Sequence, residues 1–427
     1  MSAPAADDLR RDHPAWIAGA ASTILSQHFD ADMHLEAGTM FRTNGSVVVR
    51  CHLQDPSPHF PPTVIAKCAF ATYGPYEPES PAPNNAAHDF FNDWAALELL
   101  NGVTTDPRRT PVVERLTPMF YAGSRDLGVT VVEDLGDGEN NTTLDALHGT
   151  SARWARSLLL ENVALIGRLH ALTMAHVDAY QRLRDALGPA PDRRPLFRDP
   201  WSEATRGEIP ANAIDDAAQL YKATLHDVDV HPRRGVTDEI AEVAATVEGD
   251  PGGLLSFCKG DQNIPNDYVR VNGRPRLFDF GSCGLRHAFL EGMPGRMTWG
   301  CTMRIPRALL APMDEAYRRQ VAFARPELRD DNVYHRAMIL AAARWHILHV
   351  IHRLPEALVA DRPRGPTSLR QQVVAWLLAF AELAEELDAM PALGSSARAL
   401  HSRLAEIWPA EVLELPYYPA FRDQTHV

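Results

Sequence analysis

Three side chains whose oxygen atoms could bind a metal ion lie within residues 258–284, which read CKGDQNIPNDYVRVNGRPRLFDFGSCG. Asp261 is followed by Asn266 at D-x-x-x-x-N spacing, and Asp279 opens the tripeptide DFG. Carboxylate and amide oxygens are hard ligands, and proteins usually hold Mg²⁺ with one or two carboxylates together with substrate phosphates. The segment therefore predicts a Mg²⁺ site made by Asn266 and Asp279, which Asp261 can approach without being a ligand.

A β-hairpin would bring the two predicted ligands together. Asn272 and Gly273 stand between the runs YVRV and RPRLF, and this dipeptide suits a type I′ turn because both positions need φ > 0. A regular register about that turn places Asn266 opposite Asp279 in a non-hydrogen-bonded pair, with Cα atoms about 4.5 Å apart. Two alternatives stay open: a bulge in the ladder would shift the pairing by one residue, or the strand stops short of the pair.

The predicted secondary structure changes from mainly strands to mainly helices along the chain. β-branched runs at 46–53 and 63–70 and the stretch at 128–138 predict strands, with a helix at 88–103 between them. Asn44-Gly45 is a hairpin signal ahead of the first run. After about residue 139 helical spacing dominates, as in the stripe Leu159, Val163, Ile166 and His170.

This order of motifs resembles the aminoglycoside phosphotransferase and choline kinase-like family, whose usual form is H-G-D-x-x-x-x-N, a hairpin and then I-D-F-G. In this chain the corresponding segments are KGDQNIPN and then LFDFG, and the resemblance covers most of the chain. It implies an α+β, bilobal protein kinase-like fold. The expected parts are a small β-rich N-lobe at 1–132, a hinge at 133–138 and a large, mainly helical C-lobe at 139–427.

The resemblance also implies roles for individual residues. Asp261 is the expected catalytic residue, Lys67 in TVIAKCAF is the phosphate-binding lysine, and Asp93 is its acidic partner, with Glu98 as a rival. The adenine-contacting linker falls near Glu133 to Leu135. Asn44, Gly45 and Ser46 either cover the phosphates with free N–H groups or form a plain turn.

Three positions depart from the family pattern. Lys259 stands where His is usual, and Asp93 stands where Glu is usual. The Gly-Asp pair that often follows DFG in that family is missing, and Glu291 is the nearest acidic residue.

Bulk composition excludes several classes of protein. The chain has 427 residues and a formal net charge of −13, which argues against nucleic acid as a partner. The apolar stretch at 338–355 is interrupted by Arg344 and three histidines, so it predicts a buried helix and not a membrane span. Five cysteines without a CxxC pair and an N-terminus without an apolar core predict a cytoplasmic protein.

The expected activity is an ATP- and Mg²⁺-dependent transfer of a phosphoryl group to a small-molecule hydroxyl. Acceptors that fit include an aminoglycoside or other antibiotic, a sugar or an amino alcohol. A catalytically silent, nucleotide-binding scaffold with a kinase-like fold is the alternative. A metal-dependent phosphohydrolase is a second alternative, but it needs no separate lysine-bearing lobe.

Overall fold

The computed structural model describes residues 13–42, 46–55, 58, 60–69, 75–82, 85–105, 115–136, 142–190, 213–260 and 268–424. The chain divides into two compact units. The first comprises Met1–Glu139, Asp178–Asp192 and Asp267–Gly284, and the second comprises Asn140–Val177, Arg193–Asn266 and Leu285–Val427. The first unit is rich in β structure and the second is mainly helical, which confirms the predicted α+β class.

The described helices are α1 Pro14–Phe29, α2 Ala87–Thr105, α3 Thr143–His148, α4 Ala152–Thr173, α5 Val177–Leu187, α6 Ala213–His226, α7 Val236–Val243, α8 Phe289–Gly292, α9 Leu310–Val321, α10 Asp331–Leu348, α11 Leu354–Val359, α12 Leu369–Glu386 and α13 Pro391–Ile407. The described strands are β1 Leu35–Arg42, β2 Ser46–Leu53, β3 Thr63–Ala69, β4 Phe120–Ser124, β5 Val129–Glu133, β6 Leu255–Cys258, β7 Tyr268–Val271, β8 Arg274–Leu277, β9 Gly284–His287, β10 Pro363–Arg364 and β11 Thr367–Ser368.

A five-stranded antiparallel sheet forms the centre of the first unit, in the order β1-β2-β3-β5-β4. The predicted strands at 46–53 and 63–70 appear as β2 and β3, and β1 pairs antiparallel with β2. The turn expected at Asn44-Gly45 lies outside the described residues. Alternation along β3 buries Val64, Ala66 and Cys68 in the core and turns Lys67 to the other face.

Helix α1 covers the buried face of that sheet, and the sequence reading did not predict it. Pro14 occupies its first turn, and the side chain of His13 accepts a hydrogen bond from the Ala15 N–H. Ile17, Ala21 and Leu25 follow at helical spacing and are fully buried against the strands. This spacing is the signal that could have identified the helix.

The predicted hairpin is present in the first unit. Asn272 and Gly273 have φ values of 51° and 77°, as a type I′ turn requires. The register pairs Val271 with Arg274 and continues regularly to Tyr268 and Leu277, which confirms the predicted register over four pairs.

Helices α4 and α9 pack closely in the second unit. The predicted stripe Leu159, Val163, Ile166 and His170 is buried. Gly167 permits the approach, because a Cβ there would lie 2.9 Å from the Tyr317 carbonyl oxygen. The run 152–187 is long and apolar enough to span a membrane by composition, but its most apolar window is 56% buried, as in the core helix of a globular protein.

Helix α10 accounts for the apolar stretch at 338–355 together with a π-helical turn at 349–353. His346 is fully buried and its Nε2 lies 2.8 Å from the Tyr221 hydroxyl, while the His349 ring stacks on Trp376 at 3.6 Å between centroids. His346 is therefore a core residue, and His349 is half-buried.

Candidate active site

Lys67 lies between two carboxylates contributed by different elements. Its Nζ is 3.1 Å from Oδ2 of Asp93 on α2 and 2.9 Å from Oδ1 of Asp279. Burial alone would lower the pKa of Lys67, but the carboxylates of Asp279 and Asp93 outweigh it and raise that pKa above its usual value. The lysine is therefore held as a cation.

Asp93 is the acid that pairs with Lys67, and Glu98 is not. The Asp93 side chain is 6% exposed, and its Oδ1 accepts a hydrogen bond of 2.8 Å from the Phe280 N–H. Glu98 instead accepts from Trp94 Nε1 at 3.0 Å. Asp93 therefore links Lys67 to the backbone directly after Asp279.

Asp279 is not a strand residue. Strand β8 ends at Leu277, whose N–H donates to the Leu116 carbonyl at 2.7 Å, and Asp279 has a left-handed φ of 59°. The expectation that a regular ladder carries Asp279 is therefore wrong, because a left-handed residue leaves the strand path; Asp tolerates this conformation better than most residues. Its side chain is 52% exposed.

Several predicted site residues lie outside the described part of the chain. These are Asp261, Asn266, Asn44 and Gly45. The roles of Asp261 as catalytic residue and of Asn266 as metal ligand therefore stay predictions. Ser46 is the first residue of β2, is buried, and pairs with Ala69.

Glu133 ends β5, and its carboxylate is engaged within the first unit. Oε2 accepts from the Met119 N–H at 2.9 Å and lies 3.7 Å from Arg115 Nη1. Leu135 is half-buried. A contact with adenine at Glu133 to Leu135 stays a prediction.

A buried carboxylate in the second unit binds the backbone immediately before Asp261. Glu291, on α8, accepts from the Lys259 N–H at 3.0 Å and also from the Gly260 N–H. His170 Nε2 lies 3.2 Å from the same carboxylate, and His170 Nδ1 lies 2.8 Å from the Tyr317 hydroxyl. Although burial opposes it, the hydrogen bond and charge of His170 lower the pKa of Glu291, with a further contribution from the Gly260 N–H.

Sequence reasoning noted Glu291 only as the nearest acid after DFG, and the structure assigns it this contact. Gly260, with φ 77°, supplies the left-handed turn that points both N–H groups at one carboxylate. Lys259 is also buried inside this packed unit.

His170, Cys258 and Glu291 have ligand-type atoms within 4.8 Å of one another. Their hydrogen-bonding capacity is already used, because Glu291 accepts two backbone N–H groups and both His170 nitrogens have partners. We therefore interpret the cluster as a hydrogen-bonded support and not as a metal site.

The sequence matches no protein-family model and no curated protein. Among solved structures, it is similar to an ethanolamine kinase from Plasmodium vivax, at 8% identity and TM-score 0.39, with 83% of each chain covered. A choline kinase from Streptococcus pneumoniae is similar at 12% identity and TM-score 0.33, over 83% of this chain and 94% of that one.

An aminoglycoside phosphotransferase from Alicyclobacillus acidocaldarius is similar at 14% identity and TM-score 0.35, over 86% of this chain and 93% of that one. These proteins are of the kinds that the sequence motifs resemble.

Proposed function

We propose that this protein is an ATP-dependent phosphotransferase that acts on a hydroxyl group of a small molecule. The observation that supports this most directly is the placement of Lys67 Nζ between Asp93 and Asp279. Phosphoryl transfer requires little covalent chemistry from a protein, but it requires fixed charges around the phosphates. A lysine cation with one buried and one half-exposed carboxylate supplies such charges.

The half-exposed carboxylate of Asp279 fits a Mg²⁺ ion. Asp279 presents a half-exposed hard oxygen ligand, and Mg²⁺ is typically bound by one or two carboxylates together with phosphates. Asp279 and, as predicted, Asn266 would hold the ion. When bound, Mg²⁺ would neutralise charge on the nucleotide phosphates.

Lys67 would contact the α- and β-phosphates of ATP. To do so its amine would leave Asp279 and stay paired with Asp93, because Asp93 is buried and anchored by the Phe280 N–H. Lys67 would thus keep its contact with Asp93 and exchange its contact with Asp279 for contacts with the phosphates.

Asp261 would orient the acceptor hydroxyl and take its proton. The hydroxyl oxygen forms a bond to the γ-phosphorus, the bond from that phosphorus to the β-phosphate bridging oxygen breaks, and ADP leaves with the electron pair. The proton passes to the Asp261 carboxylate and then to solvent. Glu291 supports this role, since it binds the two backbone N–H groups that directly precede Asp261.

The proposal is tested by incubating the protein with Mg²⁺, ATP and a panel of aminoglycosides, other antibiotics, sugars and amino alcohols. We expect acceptor-dependent formation of ADP and a phosphorylated product detected by mass spectrometry. Asp279→Asn should abolish it, and Glu98→Gln, which leaves the Lys67 contacts intact, should not.

The alternatives give different results in the same assay. Binding of Mg²⁺–ATP without turnover across the panel would favour a scaffold. Release of inorganic phosphate without an acceptor would favour a phosphohydrolase. Either result would contradict the proposed transferase.

A further inference from the structure

Arg184 is a buried arginine of the first unit that has no part in the chemistry proposed above. It lies on α5 and is 5% exposed. Its Nε donates to Asn92 Oδ1 at 2.8 Å, Nη1 donates to the Gly188 carbonyl at 3.1 Å, and Nη2 lies 3.4 Å from His88 Nδ1. The guanidinium also lies 5.4 Å from the ring centroid of Phe91. Most of these partners are on α2.

Asn92, the main partner of Arg184, is adjacent to Asp93 and holds the same segment. Asn92 Nδ2 donates to the Gly281 carbonyl at 3.1 Å, while Asp93 Oδ1 accepts from the Phe280 N–H at 2.8 Å. Cys283 Sγ donates to the Asn92 carbonyl at 3.3 Å. Two consecutive side chains of α2 therefore bind the backbone directly after Asp279.

The turn after α5 is tightly packed on α2. A Cβ at Gly188 would lie 2.6 Å from Phe91 Cε2, and Leu187 packs on the cluster that contains Phe90 and Phe91. Helix α5 also reaches the segment after Asp279, since the Tyr180 hydroxyl lies 3.3 Å from Cys283 Sγ. This close packing leaves α2 little freedom to rotate or slide.

The partners of Arg184 are an amide, an imidazole and carbonyl oxygens. Taking a guanidinium out of water in exchange for neutral partners is unfavourable unless most of its N–H groups are bonded. The guanidinium of an arginine is rigid and planar, so its N–H donors can bond a side-chain amide and carbonyls of another segment at the same time. The flexible ammonium of a lysine does this less well. Arg184 is thus suited to fixing one geometry between α5 and α2.

We propose that Arg184 is a positioning residue that fixes Asn92 and, through α2, holds Asp93 in contact with Lys67 and with the Phe280 N–H. Its effect on turnover rests on the proposed function. Its effect on Lys67 does not, because the Lys67 contacts exist without any reaction.

The test uses the chemical reactivity of Lys67. The chain contains three lysines, Lys67, Lys222 and Lys259, so acylation at each can be followed by peptide mass spectrometry. The Lys67 amine is held by both carboxylates and its side chain is 19% exposed, so a reagent reaches it slowly. Loosening the Asp93 contact exposes the amine more often, so Arg184→Gln should speed Lys67 acylation about tenfold. Lys222 should react as before.

Arg182→Gln is the matched control, because Arg182 lies on the same helix but is exposed. It should leave Lys67 acylation unchanged. Asn92→Ala should reproduce the Arg184→Gln effect, and the double variant should add little to either, as expected for residues that act as a unit. Should Arg184→Gln fail to fold, Asn92→Ala and Arg184→Lys provide the same comparison.

Catalytic readouts complete the test. Arg184→Gln should raise the KM for Mg²⁺–ATP about tenfold, as a misplaced Lys67 requires, with the acceptor KM unchanged. Guanidinium ion added to Arg184→Ala should restore part of the loss. Folded Arg184→Gln and Asn92→Ala proteins with unchanged Lys67 acylation would overturn the proposal. Failure of the native protein to turn over any acceptor would count against the proposed function alone.

Discussion

Lys67 Nζ lies 2.9 Å from Oδ1 of Asp279, the residue predicted to bind the metal. The same nitrogen lies 3.1 Å from Asp93, which is almost fully buried, whereas the Asp279 side chain is half exposed. The two contacts of Lys67 therefore differ in their exposure to solvent. Binding of Mg²⁺ and nucleotide would exchange the exposed contact and keep the buried one.

Lys67→Met should weaken both activity and stability. Turnover should fall by about 10²–10³, the usual effect of removing one group that stabilises developing charge. The Asp93 carboxylate would also remain buried with one hydrogen bond, which should lower the free energy of unfolding by about 3 kcal/mol. Steady-state kinetics with ATP varied and urea unfolding measure the two effects. Lys222→Met is the control, and unchanged ATP kinetics would rule out the assigned role.

The Asp261→Asn and Asp279→Asn variants should differ in their effects on Mg²⁺–nucleotide binding and on turnover. Asp279→Asn should weaken Mg²⁺–nucleotide binding as well as turnover, because an amide is a poorer partner for a hard cation. Asp261→Asn should leave that binding nearly intact and lower turnover by about 10²–10⁴, the usual contribution of a positioned proton acceptor. Calorimetry with Mg²⁺ and a non-hydrolysable nucleotide separates them. The division of roles is wrong if Asp261→Asn abolishes nucleotide binding.

Glu291→Gln should disturb the backbone before Asp261. The amide keeps one acceptor oxygen, but its NH₂ group would face a backbone N–H that now binds a carboxylate oxygen. We expect a loss of about 2 kcal/mol in the free energy of unfolding and lower turnover with unchanged Mg²⁺–nucleotide affinity. Glu315→Gln, an exposed change on α9, is the control. Equal losses for both variants would contradict the anchoring role.

The protein should lose stability in mild acid through His287. Burial, with a smaller contribution from His170, lowers the pKa of His287 from 6.5 to about 4. Below pH 6.5 this histidine binds a proton in the unfolded chain but stays neutral in the folded protein. The free energy of unfolding therefore decreases as the pH is lowered, until the folded pKa is reached. The shift corresponds to about 3 kcal/mol between pH 7 and pH 4.

Urea unfolding at pH 7 and pH 5 checks this expectation. His287→Asn retains an acceptor for the Phe289 N–H, which His287 Nδ1 now accepts at 3.3 Å, but does not titrate. It should reduce the pH dependence, whereas exposed His28→Asn should not. An unaltered slope in His287→Asn would show that other groups cause the acid sensitivity.

The sequence by itself determined the local features of the site. The Asn272-Gly273 turn specifies its register because few conformations allow φ > 0 at both positions, and four predicted pairs are present. Alternation in β3 shows that Lys67 opposes the core face, and the helix after it carries three candidate acidic partners, Asp89, Asp93 and Glu98. These inferences need only neighbouring residues.

Only the tertiary structure decided between Asp93 and Glu98, took Asp279 out of the strand, and assigned partners to Glu291 and Arg184. The choice of Asp93 depends on the Phe280 N–H, and the contacts of Arg184 join α5 to α2 across a long stretch of chain. Nothing in local spacing encodes such pairs, because packing and the satisfaction of buried polar groups select them from many acids and arginines of similar local pattern.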